Sequence, residues 1–543
     1  MFKRLFGYAG KAIKADTINE AGGRAYAFSP QHALAQYAAT GTMHNTFYAT
    51  AEKQLETILA LADMVSPEFV AKTAVYCRQR GFMKDVPALL VAYLAKKDVA
   101  LMKAAFPRVI DNGKMLRNFV QVVRSGAIGR KSFGTAPKRA AQAWFKSRTP
   151  EVIFRSSIGA QPSMADVIKL VRPSPANDTG AKDLVREAMY GYLIGKPVDV
   201  EKLPPVVRAF EAFKTGLAVP ADGGTLEGTA AVPDVPFEML TALELTKEHW
   251  AQIARTMTWT QTRMNLNTLL RKGVFEDQAL IDLVAERLKK PDAIRRARAF
   301  PYQLLAAFRA AGAEMPPAIT NALQDALEVA TENVPAVAGK IYICPDVSGS
   351  MQSPVTGHRV GATTAVRCVD IAGLVAASLL RRNPNAEVIA FSDDVVKMPR
   401  AINPRDSVMT NAQYLASLPS GGTACSAPLR HLNAKNAKGD LVLYISDNQS
   451  WVDFAVNPGA PIARVPTRGT VMAEEWERFR ARNPDAKLVL IDLQPYASTQ
   501  VAERADVLNI GGFSDTVFEL VSLFAKGELG ADHFVGAIES ENL

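Results

Sequence analysis

The segment Asp346-Val347-Ser348-Gly349-Ser350 sets one carboxylate and two hydroxyls at alternate positions, directly after the apolar run from Lys340 to Cys344. At a strand-to-helix turn, an Asp-x-Ser-x-Ser lets those oxygens converge on a small hard cation; the same residue types also serve a plain turn, bonding nearby backbone amides. Two further candidates lie downstream. Gly421-Gly422-Thr423 falls in a later loop, and Asp447 ends the run Asp440 to Ser446. Asp346, Asp447, Ser348, Ser350 and Thr423, completed by water, make an oxygen-only set that suits octahedral Mg²⁺, which binds few carboxylates and keeps waters. A divalent cation, Mg²⁺ first, is the expected cofactor. Neither a phosphate-cradling G-x-x-x-x-G-K-[ST] nor a G-x-G-x-x-G is present. Nothing near the proposed metal supplies a general base beyond its own carboxylates, so a non-enzymatic role is expected.

A second chemistry is carried by charge. The chain's +9 divides into 18 basic and 22 acidic residues from Ile341 onward, and 45 and 32 before it, so a basic part at +13 precedes an acidic one at −4. Nine cations and no carboxylate stand between Lys114 and Arg148: Lys114, Arg117, Arg124, Arg130, Lys131, Lys138, Arg139, Lys146 and Arg148. A solvated helical face normally mixes both signs, so 35 residues without an acid read as a polyanion-binding surface, with nucleic acid the usual partner.

The elements that must position these residues follow from periodicity. Ala51 to Met64, Pro67 to Gly81, Asp85 to Lys97, Lys114 to Ser125 and Pro137 to Lys146 repeat apolar residues every three or four positions, without strands, as in stacked helical pairs. Asp85 is an N-cap candidate with Pro87 in the first turn. The Gly/Pro-rich stretch Thr215 to Pro236 reads as a long loop, after which helical pattern runs from Phe237 to about Thr331. Beyond Asn333, the runs Lys340 to Cys344, Glu387 to Phe391, Asp440 to Ser446 and Lys487 to Leu493 alternate with helical segments Ala362 to Arg382, Ala412 to Leu418 and Val471 to Arg482. Fully apolar strands between helices predict a parallel sheet covered on both faces, with ligands beyond the carboxyl ends of its strands.

At 543 residues, 48% of them hydrophobic, the chain fits a multidomain globular protein. Its four cysteines and six histidines are scattered without C-x-x-C or H-E-x-x-H spacing, which excludes a disulfide scaffold and a zinc hydrolase. No apolar run reaches the roughly 18 residues of a membrane span, and Met1 to Ala15 lacks a secretory h-region, so a cytoplasmic protein without membrane attachment is expected.

The combination Asp346, Ser348, Ser350, Thr423 and Asp447 resembles the metal-ion-dependent adhesion site of von Willebrand factor A domains, in which the metal keeps one position open for a partner's Asp or Glu. The helical part resembles the TROVE module in Gly22-Gly23-Arg24, in Gly41-Thr42 followed by Thr46-Phe47-Tyr48, and in Lys84 with Pro87 and Leu89-Leu90. The likeness continues through Arg117, Gly129-Arg130, Lys138-Arg139 and Trp144 to Arg263-x-Asn265-Leu266 and Ala297-Arg298-x-x-Pro301. TROVE joined to an A domain is the layout of the Ro autoantigen family, whose bacterial members are called Rsr.

The resemblance implies an α plus α/β architecture: a tail over 1–18, a ring of HEAT-like helical repeats over 19–335, and a doubly wound α/β A domain over 336–543. It implies binding of small structured Y RNA on the outer basic surface and of single-stranded 3′ ends of misfolded RNAs in a central hole, in RNA quality control, with an exoribonuclease as associated partner. It adds Lys84, Arg172 and Arg263 to the RNA candidates, an intramodule ion pair being the other reading of Arg263. Two departures stand where the family often has histidine: Arg172, which still suits phosphate, and Phe300, which packs or stacks. A closed ring from one chain needs no partner subunit, so a monomer is expected. The competing reading is a metal-dependent protein-adhesion scaffold, with an acidic protein ligand at the metal.

Overall fold

The computed structural model describes residues 13–40, 49–130, 132–176, 180–217, 231–297, 299, 301–332, 334, 336–355, 366–454, 469–494, 496–512, 515–529 and 533–543. Lys131, the motif residues Gly41 to Tyr48, Arg298, Phe300 and positions 218–230 of the expected loop lie outside them. Two compact units divide the chain. One takes in residues 1–86, 298–310 and 324–542, the other 87–297, 311–323 and 543.

The first unit is built on a five-stranded sheet, every pair of it parallel. In chain order, β1 (Thr17–Ile18) and β2 (Arg24–Ala27) precede β3 (Ile341–Pro345), β4 (Glu387–Val388), β5 (Leu441–Ser446), β6 (Lys487–Asp492), β7 (Ser498–Thr499) and β8 (Val507–Gly511). The sheet order is β4-β3-β5-β6-β8, with Ile341 opposite Leu441 and Leu441 opposite Lys487. Every residue of β3 and β5 is buried, which explains their unbroken apolar sequence: both faces are covered, so no position needs a polar side chain. The helix Cys368–Arg382 is buried along nearly its whole length, and Trp476, Tyr444 and Phe391 are among the largest side chains of the core. Each long strand ends where a candidate ligand begins: Asp346 follows β3 and Asp447 follows β5.

The same unit draws in residues from the other end of the chain. β1 and β2 form a hairpin, and β2 pairs antiparallel with β7, Tyr26 opposite Thr499. This corrects the expectation of a strand-free N-terminal part. Two- and four-residue strands carry no periodicity to read, and they exist because β7 offers an edge. Next come α1 (Pro30–Thr40), α2 (Ala51–Met64) and α3 (Pro67–Gln79). On α1, the buried His32 meets the Asn509 carbonyl of β8 through Nε2 at 3.1 Å and stacks on Phe28 with ring centroids 4.3 Å apart. The unit around the sheet is thus discontinuous in sequence, and 335/336 is a boundary along the chain rather than in packing.

The second unit is helical: α4 (Asp85–Lys97), α5 (Val99–Val109), α6 (Gly113–Ser125), α7 (Thr135–Lys146), α8 (Pro150–Arg155), α9 (Met164–Val171), α10 (Leu184–Leu193) and further short helices to Ala297. Asp85 is the first residue of α4 and not its cap, a one-residue shift in the expected start. Side-chain caps set the other boundaries: Asp98 accepts from the amides of Ala100 and Leu101, and Asn112 from that of Met115. Helix Pro205–Leu217 takes in the first three residues of the Gly/Pro-rich stretch expected as loop.

Candidate metal centre and basic helical face

At the carboxyl edge of the sheet, the structure brings the five expected oxygen ligands together. Asp346 is fully buried; its Oδ1 accepts from the Ser348 amide at 2.8 Å and its Oδ2 from the Ser446 hydroxyl at 2.5 Å. The hydroxyls of Ser348 and Ser350 stand 3.4 Å apart. Asp447 Oδ1 takes the Gln449 amide at 3.2 Å, and its buried Oδ2 accepts no hydrogen bond, although the Ser350 hydroxyl is near enough to ease its charge. Ser350 and Thr423 line one cavity of about 340 Å³ with Ala21, Gly349, Gly421, Gly422 and Trp451.

The electrostatics follow from that burial. Burial first, and the Asp447 charge second, push Asp346 up to about 7, against relief from Ser348 and Ser446. Burial raises Asp447 as well. Behind them, Asp492 at the end of β6 is pushed well above the carboxylate range by burial and by Asp447, while Asn448 donates to it. Two desolvated carboxylates side by side, one with an orphaned oxygen, are a poor arrangement for anions alone and a fitting one around a divalent cation. Among the described residues no group of three or more His, Cys, Asp and Glu gathers to hold a metal, so any such site depends on hydroxyls. Ser446 and Gln449 were not foreseen; their signal was only adjacency to Asp447.

The acid-free stretch divides into cations committed to the fold and cations turned outward. Arg117 is half-buried on α6: its Nη1 donates to the Ser156 carbonyl at 3.0 Å and its guanidinium lies flat against Gly159, where a Cβ would stand 2.6 Å from Nη2. The φ of 110° is what requires glycine at 159. Arg130 ties the end of α4 to the loop before α7, donating to the carbonyls of Ala95 at 2.5 Å, Ser132 at 3.3 Å and Phe133 at 3.4 Å. Arg148 lies over the Trp144 ring at 4.1 Å and donates to the Asp111 carbonyl. Burial lowers the pKa of Arg117 and Arg148.

The others face solvent. Lys114 and Arg124 on α6, and Arg139 and Lys146 on α7, are exposed, and Lys138 is half-buried. On the opposite face of α7, Ala141, Trp144 and Phe145 are buried, Trp144 only 3% exposed, so it packs in the core. Gln142 Nε2 reaches the carbonyls of Val171 at 2.8 Å and Arg172 at 3.3 Å, tying α7 to the end of α9. It thereby brings exposed Arg172, left-handed at φ 51°, beside the α7 cations. Arg263 sits half-buried with its guanidinium 5.9 Å from the Trp259 ring, away from this face in sequence. Lys84 is exposed and belongs to the other unit. Unforeseen are Lys96 and Lys97, exposed at the end of α4, with Lys96 Nζ 2.8 Å from where a Cβ on Gly129 would lie. As cations in a last helical turn they read only as partners of the helix dipole.

A model of the Ro60 vWA domain matches residues 340–461. Over 544 aligned positions the chain is 26% identical to the protein named RNA-binding protein RO60 of Deinococcus radiodurans, spanning 94% of this chain and 95% of that one. It is also 26% identical over 268 positions to the RNA-binding protein RO60 of Caenorhabditis elegans, covering 47% of this chain and 38% of that one. The crystal structure of the Deinococcus radiodurans RO (RSR) protein superposes with a TM-score of 0.58 at 21% identity, over 92% of this chain and all of the other, which gives the fold: helical repeats with a parallel-sheet A domain.

Proposed function

From its likeness to the RO60 proteins we propose that this chain is a member of the Ro family and a non-catalytic RNA-binding protein. Its ligands are small structured noncoding RNA of the Y type, held on the basic helical face, and single-stranded 3′ ends of misfolded RNAs, in RNA quality control. The observation that carries this is the outward face of α7: Lys138, Arg139 and Lys146 stand over a buried Trp144 and Phe145, with Arg172 tied alongside through Gln142. Cations presented on a rigid helix contact phosphates with little sequence preference, and their affinity falls steeply with salt. Lys114 and Arg124 extend the surface along α6. The protein acts as a monomer in the cytoplasm, and degradation of what it binds falls to a partner exoribonuclease. Among the described residues, no helix is long and apolar enough to cross a membrane.

The orphaned Oδ2 of Asp447 favours a second activity on the same chain. Asp346, Ser348, Ser350, Thr423 and Asp447 would hold a divalent cation, Mg²⁺ by its taste for oxygen. When bound, the cation supplies a positive charge with a position open to an acidic side chain of a protein partner. Gel shifts with a structured RNA bearing a free single-stranded end separate the two activities. Lys138→Glu with Arg139→Glu weakens RNA binding, whereas Asp346→Ala with Asp447→Ala leaves it intact. Unchanged RNA affinity in the first pair places the RNA surface elsewhere, and Mg²⁺-dependent RNA cleavage lost in Asp346→Ala would make the protein a nuclease.

A further inference from the structure

Of the five tryptophans, four are 5% exposed or less; Trp451 is 43% exposed, and it lines the same cavity as the candidate ligands Ser350 and Thr423. A large exposed aromatic is unusual enough to ask what covers it. Its place is set by three contacts. The amides of Trp451 and Val452 both donate to the Thr423 carbonyl at 3.1 Å, so the loop carrying the ring is fastened to the loop carrying a ligand hydroxyl. Gly422 leaves room for it: a Cβ there would stand 3.0 Å from Trp451 Cζ2 and 2.5 Å from Val452 Cγ2. Ala21 also lines the cavity, in a turn moored by Asn19 Nδ2 to the Ser450 carbonyl at 2.7 Å and by the Glu20 amide to Gln449 Oε1 at 2.9 Å.

Charge narrows what can enter. None of the seven described residues that line it is cationic. Asp346 and Asp447 are buried outside that lining, Asp447 beside the Ser350 hydroxyl that reaches it, and Asp393 Oδ1 is 2.9 Å from where a Cβ on Gly421 would be. Among the described residues the attraction for an acidic group is therefore that of a bound cation, and the remaining rim, three glycines, an alanine and an indole, offers apolar surface and no charge. Resting on the metal reading above, we propose that this cavity recognises an acidic side chain followed by a flat apolar one: the carboxylate on the metal, the neighbouring ring against Trp451. Trp451 is then the residue that selects among acidic partners.

The test uses the full chain loaded with Mn²⁺, whose effect on water-proton relaxation falls when a ligand displaces metal-bound water. Ac-Glu-Phe-NH₂ lowers the enhancement at a concentration about three- to tenfold below that needed of Ac-Glu-Ala-NH₂, the span expected for one aromatic contact. Ac-Gln-Phe-NH₂ has no effect. Trp451→Ala removes the difference between the two glutamyl peptides, and Trp451→Phe keeps it. Equal potency of those two peptides on the native chain overturns the proposal and leaves the metal reading standing. Equal Mn²⁺ binding by the native chain and Asp447→Ala overturns the metal reading itself. Binding of Ac-Lys-Phe-NH₂ in EDTA would assign the cavity to a cationic ligand and also overturn the proposal.

Discussion

Replacing Lys138, Arg139 and Lys146 together by glutamine removes three positive charges from the outer face of α7 and leaves its buried face untouched. Each lost phosphate contact flattens the log–log dependence of affinity on salt by about 0.7–0.9, so three flatten it by about 2–3. That term fades toward ~1 M salt and grows by the same exponent for each tenfold dilution, which makes the loss two to three orders of magnitude at ~0.1 M. Filter binding or fluorescence anisotropy from 50 to 400 mM salt (about the range in which the slope is linear) measures it. Arg130→Gln is the control from the same acid-free stretch. It gives up a guanidinium bonded to three carbonyls, and charged bonds of this kind, two of them long, contribute about 2 kcal/mol to the fold. Its melting temperature falls by a few degrees while its salt slope stays native. A native slope in the triple variant, or a flattened slope in Arg130→Gln with unchanged melting, refutes this division of the cations.

The metal-free centre is expected to be pH-sensitive. Asp346, pushed up to about 7 when folded against about 4 unfolded, binds more protons in the folded state between those values, so its contribution makes stability fall as pH climbs through that window. The fall is at most about 4 kcal/mol. Thermal melting in EDTA from pH 4.5 to 8 (roughly the span between the two values) is compared with Asp346→Asn, which flattens the dependence, and with Mg²⁺, which raises the native melting point and not that of the variant. Arg172→Gly relieves a left-handed backbone and leaves stability unchanged or higher by about 1 kcal/mol, yet weakens RNA binding; destabilisation would mean its side chain serves the fold. Gly422→Ala drives a methyl into Val452 and Trp451, displaces the ring and lowers Mn²⁺ affinity through Thr423, as read by relaxation titration; native affinity would show that the loop yields freely.

Periodicity made the helices legible because their apolar stripes are local: Ala51–Met64 and Val471–Arg482 appear at their expected bounds. The main parallel strands were legible for a related reason, since a strand buried on both faces must be apolar throughout. Glu387 to Phe391 was expected as a full strand; regular strand covers Glu387–Val388, and the run stays paired beyond it through the Ile389 and Phe391 amides, bonded to the Ile343 and Pro345 carbonyls. β1, β2 and β7 were illegible, being too short for a pattern, and β2 finds its partner β7 more than 400 residues away. The strand β8, interrupted by Asn509 and ending in glycine, escaped as well.

Sequence alone determined that a cluster of oxygens would gather after β3 and β5, because residues at strand ends are carried to one sheet edge by any parallel α/β topology. It also determined that a basic face exists, because 35 residues without an acid cannot hide their charge. Tertiary structure decided which charges are available. Arg117, Arg130 and Arg148 share composition and neighbourhood with Arg139 and Lys146, and only the positions of the Ser156, Ala95 and Asp111 carbonyls turn the former inward. It decided likewise that Ala21 and Trp451 would wall the candidate metal site. A hydrogen bond is satisfied by whatever group arrives within about 3 Å, and which group arrives there is a property of the fold and not of local sequence.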